Sequence, residues 1–223
     1  MKHALLSLLG KLVYLSKNIK PGRIFMCHPF NLTMSVKHLH YKVKLSRDAR
    51  EDVVWWLNSA STWNRKSVFY DEDWSDSVKM EIYTDASDLG IGAVFKDEWF
   101  SVELSSAEKS MSIAWRELLA IVVACATWGE KLPGKKILLH CDNSAVVEIV
   151  NTGTCRCREI MCLVRGLFSI CVKYNFDIKL QHIAGVSNIA ADSLSRLDLG
   201  RFFRENPGMY SSRPTKIRRG CEF

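Results

Sequence analysis

The sequence has 223 residues, of which 48% are hydrophobic and 25% charged, so the chain can bury a core and does not belong to the disordered class. No apolar run approaches the length of a membrane-spanning helix. The formal net charge of +7 favours a polyanionic partner such as nucleic acid, although a basic surface that serves only solubility fits the charge equally well.

The N-terminal third of the chain carries few clear elements. Leucines at helical spacing predict an amphipathic helix over residues 4–17, and Ser46 can cap a second helix that continues to Leu57. Residues 24–41 show no clean periodicity, and the largely polar run 58–77 is typical of a linker. We therefore predict a small, mainly helical N-terminal segment that ends near this linker.

From residue 78 the pattern changes to short strands and longer helices. In chain order it predicts three strands, a helix, a strand, two helices, a strand and a helix, over residues 78–84, 91–96, 99–103, 112–131, 136–141, 143–151, 159–174, 176–182 and 187–197. Turn residues between the first strands indicate a meander, and the later alternation of helix and strand indicates parallel pairing. We expect a mixed α/β sheet, followed by a basic, flexible tail over residues 198–223.

Four acidic residues lie at the edges of these elements. Asp85 follows the first predicted strand, Asp142 follows the fourth, Glu117 lies near the start of a long apolar helix, and Asp192 lies in the first half of the last helix. Taken singly, the aspartates fit a turn, a helix cap and a favourable helix dipole. Because ligands gather at the carboxyl ends of strands in open α/β sheets, we expect the acids to converge.

Converging carboxylates need a cation. Without one they raise one another's pKa values and destabilise the fold, and burying an unpaired carboxylate is costly. A set of oxygen ligands favours Mg²⁺ or Mn²⁺ over zinc. The acids therefore predict a site for divalent metal.

Four stretches of the chain resemble, in order, the acid motifs of the type 1 ribonuclease H domain. They read T-D-A-S-D-L-G-I-G-A-V-F, W-R-E-L-L-A-I, H-C-D-N-S-A-V-V and H-I-A-G-V-S-N-I-A-A-D-S-L-S-R. The W-R-E-L and A-D-S-L-S-R stretches are similar to those of gypsy-like and especially DIRS-like retroelement reverse transcriptase polyproteins. Residues 1–77 are similar to the connection segment that follows the polymerase domain in those elements.

The resemblance implies a ribonuclease H-like domain over residues 78–197, with a five-stranded sheet of three antiparallel strands followed by two parallel strands. It also implies a Mg²⁺-dependent endonuclease that hydrolyses the RNA strand of an RNA/DNA hybrid with two metal ions, Mg²⁺ or Mn²⁺. The catalytic and metal-binding residues would be Asp85, Glu117, Asp142 and Asp192, and Asp85 would bridge the ions. A reverse transcriptase polymerase domain is a further expected partner.

Two departures from the family pattern affect this reading. Val186 stands in the place of a loop histidine that aids product release in relatives, so we expect slow turnover. The connection Thr152–Cys157 leaves no room for a basic handle that grips the hybrid in bacterial forms. Binding would then depend on the basic N-terminal segment and on Asn143, Arg156, Arg158, Lys216, Arg218 and Arg219. For His182, both a structural and a catalytic role remain open.

Two other functions remain open at this stage. A catalytically silent retroelement remnant could bind nucleic acid or a partner without cutting, although the four intact acids argue against it. A transposase or integrase of the same fold superfamily would usually place a final glutamate on a helix well after the second aspartate, whereas here the last acid is Asp192 in an A-A-D-S motif. The chain has no polymerase palm motif, so we expect no polymerase activity. Cysteines within apolar runs favour an intracellular location, in the cytoplasm or nucleus.

Overall fold

The structure, a computed structural model, describes residues 1–17, 19–62 and 80–218. The chain divides into two compact units, residues 1–69 and 70–223. Most of the predicted linker lies outside the described residues, as does Arg219. Among the described helices, none is both long enough and apolar enough to cross a membrane.

The first unit is mainly helical, as predicted. Its elements are α1 (Lys2–Leu15), a 3-10 helix (Lys20–Met26), α2 (Cys27–Met34) and α3 (Arg47–Thr62). Leucines of α1 form its buried face, and Ser46 Oγ accepts a hydrogen bond from the N–H of Ala49 at 3.2 Å, as a helix cap does. The sequence pattern missed α2, which carries Pro29 in its first turn, where proline is tolerated.

The second unit is built on a five-stranded sheet. Its strands are β1 (Glu81–Ala86), β2 (Gly90–Phe95), β3 (Glu98–Glu103), β4 (Lys136–Cys141) and β5 (Asp177–His182). Their spatial order is β3-β2-β1-β4-β5. The first three strands pair antiparallel, whereas β1 with β4 and β4 with β5 pair parallel. The predicted fold class is thereby confirmed.

Helices cover both faces of the sheet. They are α4 (Ser106–Lys109), α5 (Ile113–Trp128), α6 (Ser144–Thr152), α7 (Arg158–Tyr174), α8 (Ile189–Ser195) and α9 (Leu199–Glu205). Helix α5 lies between the sheet and α7, which is why nearly all of its residues from Arg116 onward are buried. Helix α8 packs on β1, β2 and β3. The short α4, closed by a capping box of Ser105 and Glu108, was not predicted.

Parts of the segment after residue 198, which we expected to be flexible, pack on the fold at Phe202, Ser212 and Thr215. Phe202 of α9 is fully buried in a cluster with Val94, Trp99 and Leu194. Further along, the N–H of Thr215 donates to the carbonyl of Trp99 in β3 at 2.7 Å. The basic composition of this segment gave no sign that it packs on the fold, because the apolar contacts that hold it centre on Phe202.

Candidate active site

Asp85 and Asp142 meet because β1 and β4 are parallel neighbours. Tyr83 lies opposite His140 in the register of this pair, and continuing the register by two residues places Asp85 opposite Asp142. Adjacent strands are ~4.8 Å apart, so the two carboxylates emerge side by side. Asp142 does not cap α6. The cap is Asn143, whose Oδ1 accepts from the N–H groups of Ala145 and Val146.

Glu117 reaches this point from the second turn of α5. Its carboxylate lies 3.8 Å from the Sγ of Cys141, at the end of β4, and accepts a hydrogen bond from the backbone N–H of Ala86. The side chain is 97% buried, since Glu117 is only 3% exposed. The preceding residue, Arg116, donates to the carbonyl of Ser87 at 2.8 Å and to Asp88 at 2.7 Å. Arg116 thus fastens the turn that follows Asp85 to the helix that carries Glu117.

Helix α8 delivers Asp192 and lies directly on β2. A side chain at Gly92 would place its Cβ 2.5 Å from Leu194 Cβ and 2.6 Å from the backbone nitrogen of Ser195, so the sheet needs glycine there for the helix to approach. Ser195 Oγ then donates to Asp85 at 2.5 Å. The Asn188 amide donates to the carbonyl of Thr84 at 2.9 Å and ties the start of α8 to β1.

All four predicted acids line one open cleft of about 380 Å³. The lining residues are Asp85, Ala86, Ile113, Glu117, Asp142, Asn143, Ser144, Asp192 and Arg196. Burial, reinforced by Asp142 and Asp192, raises the pKa of Asp85 from 3.8 to about 7. Burial, reinforced by Asp85 and Asp142, raises the pKa of Glu117 from 4.5 to about 9. In both groups burial is the main cause of the raised pKa, and the neighbouring carboxylates add to it.

The residues of the cleft fit a divalent cation. Glu117, Cys141 and Asp142 each offer a ligand atom, and these atoms lie within 4.8 Å of one another. The pKa values of Asp85 and Glu117 are raised. A bound dication would lower both pKa values, because it stabilises the ionised carboxylates. Carboxylate oxygens dominate the donor set, which suits hard cations, and the buried thiol of Cys141 lies beside Glu117.

Residues 75–164 match the family described as "RNase H-like domain found in reverse transcriptase". The matched segment contains Asp85, Glu117 and Asp142 and ends before Asp192, so the match does not bear on the fourth acid. A solved structure, that of RNase H1 from the halophilic archaeon Halobacterium salinarum NRC-1, is similar with 16% sequence identity and a TM-score of 0.41. The similarity covers 54% of this chain and 96% of that chain.

The predicted nucleic-acid contacts lie on several different elements of the second unit. Asn143 lines the cleft, and Arg156 and Arg158 are exposed at the short connection between α6 and α7. Lys216 is exposed, whereas Arg218 forms an ion pair with Glu130 just beyond the end of α5. The end of α5 lies more than ten residues past Glu117, or about 15 Å along the helix, so Arg218 is distant from the acids.

The loop after β5 contains Val186, which stands where the family pattern has a histidine. Val186 lies there in a 3-10 turn (Gly185–Ser187) and is 83% exposed. His182, at the end of β5, places Nε2 3.1 Å from the backbone carbonyl of Asp142. A carbonyl only accepts, so Nε2 carries the hydrogen in this contact. The structure thus gives His182 a structural contact with the segment that carries Asp142.

Sequence reasoning missed the polar residues that hold the acids in place. These are Ser195, which donates to Asp85, Arg116, and the two arginines that bind Asp192, Arg196 and Arg201. Three of them lie inside or beside motifs already recognised, in W-R-E-L and A-D-S-L-S-R. The signal that could have found Arg196 is its i+4 spacing from Asp192 on a helix. No local pattern points to Arg201, which lies on α9.

Proposed function

We propose that the chain is a Mg²⁺-dependent endonuclease that hydrolyses the RNA strand of RNA/DNA hybrids. The observation that carries the proposal is the convergence of Asp85, Glu117, Asp142 and Asp192 on one cleft. The match of residues 75–164 to the RNase H-like family of reverse transcriptases supports it. We assign the nuclease to residues 78–197, the connection segment to residues 1–77, and the origin to a DIRS-like or gypsy-like retroelement, on the motifs quoted above.

In this proposal Asp85, Glu117, Asp142 and Asp192 would hold two Mg²⁺ ions, and Asp85 would be a ligand that both ions share. The bound ions would activate the attacking water and stabilise the departing 3′ oxygen. The chain's own residues fix the acids: Ser195 holds Asp85, and the α8 helix seats against Gly92. His182 fixes the backbone at Asp142. Contacts to ribose 2′-hydroxyls would select the RNA strand.

A cleavage assay on an RNA/DNA hybrid labelled in its RNA strand tests the proposal. We expect Mg²⁺-dependent cleavage by the full chain, no cleavage of the matching DNA duplex, and loss of cleavage in Asp85→Asn. Asp97→Asn, an exposed change in the turn between β2 and β3, is the matched control and should cut like the wild type. Equal cleavage by the wild type and Asp85→Asn, or none by either, would contradict the catalytic role. A chain that binds hybrid but never cuts it would instead support the silent module.

A further inference from the structure

Asp192 differs from the other acids of the cleft because each of its carboxylate oxygens accepts a hydrogen bond from an arginine. Each oxygen keeps a second lone-pair site for a metal ion. The Nε of Arg196 donates to Oδ1 at 2.6 Å, and an Nη of Arg201 donates to Oδ2 at 2.6 Å. Arg196 follows α8 directly, and Arg201 lies on α9. Two cations therefore meet one carboxylate at the rim of a cleft that otherwise gathers negative charge.

The two arginines are placed differently. The side chain of Arg196 is 59% exposed, whereas that of Arg201 is 35% exposed. Of the described residues that line the cleft, Arg196 is the one that carries a positive charge. Its positive charge also reaches Asp85, whose pKa it lowers slightly against the larger effects of burial and the other acids.

The contact with Asp192 leaves most of the Arg196 guanidinium free to bind a ligand. An arginine side chain has five N–H groups in a fixed plane, and the recorded contact with Asp192 uses the Nε–H. The four N–H groups on the two terminal nitrogens form the fork that binds phosphate oxygens in a bidentate manner. Because Nε is held by a carboxylate, the plane of this fork is fixed before any ligand arrives.

We propose that Arg196 binds a backbone phosphate of the nucleic-acid strand seated in the cleft. This inference rests on the proposed nuclease function, since it names a contact of that site with its substrate. Asp192 orients the guanidinium through Nε, and Arg201 is a positioning residue that holds the other oxygen of Asp192 from α9. A nucleic-acid strand that approaches the four carboxylates would thus find the positive charge of Arg196 in the lining of the cleft.

The test is equilibrium binding of a fluorescent RNA/DNA hybrid to the full chain over a series of salt concentrations, with Ca²⁺ in place of Mg²⁺. Arg196→Gln should weaken binding about tenfold at low salt, the effect of one lost charge-assisted contact. It should also reduce the slope of log K against log salt by roughly 0.7 to 0.9, the value for one phosphate. Arg204→Gln, an exposed change on α9, is the matched control, and we expect it to change neither quantity to this extent.

Further variants separate contact from folding. Arg196→Lys keeps the charge but has no fork, so we expect it to restore the salt slope and only part of the affinity. Arg201→Gln should lower the unfolding midpoint while leaving the salt slope unchanged, because Arg201 acts on Asp192 and not on phosphate. An unchanged slope and affinity in Arg196→Gln would overturn the proposal while hybrid binding by the wild type, and with it the proposed function, stands. Absence of hybrid binding by the wild type would overturn both.

Discussion

Replacing Asp85 with asparagine tests whether burial, together with the neighbouring acids, disfavours the ionised form of Asp85 in the metal-free protein. The change removes one charge, keeps the size of the side chain, and leaves an amide oxygen to which Ser195 Oγ can still donate. Asp85 is 5% exposed, and its folded-state pKa is raised from 3.8 to about 7. Because Asp85 binds its proton more tightly in the folded state, its protonation contributes to the free energy of unfolding, and this contribution is fully present below about pH 4. It is lost as pH rises through about 7.

The size of the effect follows from the shift in pKa. A rise from 3.8 to about 7 is roughly three units, and one unit corresponds to about 1.36 kcal/mol, so the ceiling is ~4 kcal/mol. Asparagine is uncharged and does not lose this stability at high pH. We therefore expect Asp85→Asn to raise the free energy of unfolding by ~2 to 4 kcal/mol near pH 8 without metal, and by ~0 kcal/mol near pH 3.5.

Urea denaturation of both proteins in EDTA, over a series of pH values, measures this difference. Asp97→Asn is again the control, because Asp97 is exposed in a turn and its replacement should change stability by less than about 0.5 kcal/mol. The reasoning fails if Asp85→Asn is less stable than the wild type near pH 8, or if the difference between them does not depend on pH.

Three further predictions concern metal, the approach of α8 and the C-terminal segment. Near pH 8, adding Mg²⁺ should raise the thermal midpoint of the wild type more than that of Asp85→Asn, because the ion binds only the folded cluster; equal rises in differential scanning fluorimetry would contradict this. Gly92→Ala should cost ~2 to 3 kcal/mol by urea denaturation, since its Cβ would overlap Leu194. Gly208→Ala, with nothing within 4 Å of an added Cβ, should be nearly neutral. Phe202→Ala should cost ~3 to 5 kcal/mol, against little for Tyr210→Ala, which is 77% exposed; similar losses would show that α9 does not stabilise the fold.

The sheet and two of its acids were accessible to sequence reasoning because their signals are local. Short apolar runs bounded by turn residues defined the strands to within a few residues, and strand ends followed by Asp85 and Asp142 predicted that these acids meet. Glu117 could be anticipated because it is a charge at the head of an otherwise apolar helix. Each inference needed only the period of one element and the rule that parallel strands end at the same edge.

The contacts around Asp192 could not be predicted in the same way. That Arg201 binds Asp192 depends on the angle between α8 and α9, and that angle depends on where Phe202 packs against Trp99 and Val94. Sequence periodicity predicts which face of a helix is buried. It does not predict the angle at which α9 packs against α8 after the turn between them. The same limitation explains why the segment after residue 198 was expected to be flexible.

The contacts of Ser212 and Thr215 with β3 also bear on how the protein behaves in solution. β3 lies at the margin of the sheet, and such a margin offers unpaired peptide groups to strands of other molecules. The hydrogen bond from the N–H of Thr215 occupies one such peptide group, the carbonyl of Trp99. The Trp99 indole donates to Ser212 and holds the same segment beside β3. A chain truncated after residue 197 would uncover this strand together with the apolar cluster beside it, and self-association is the hazard we would expect.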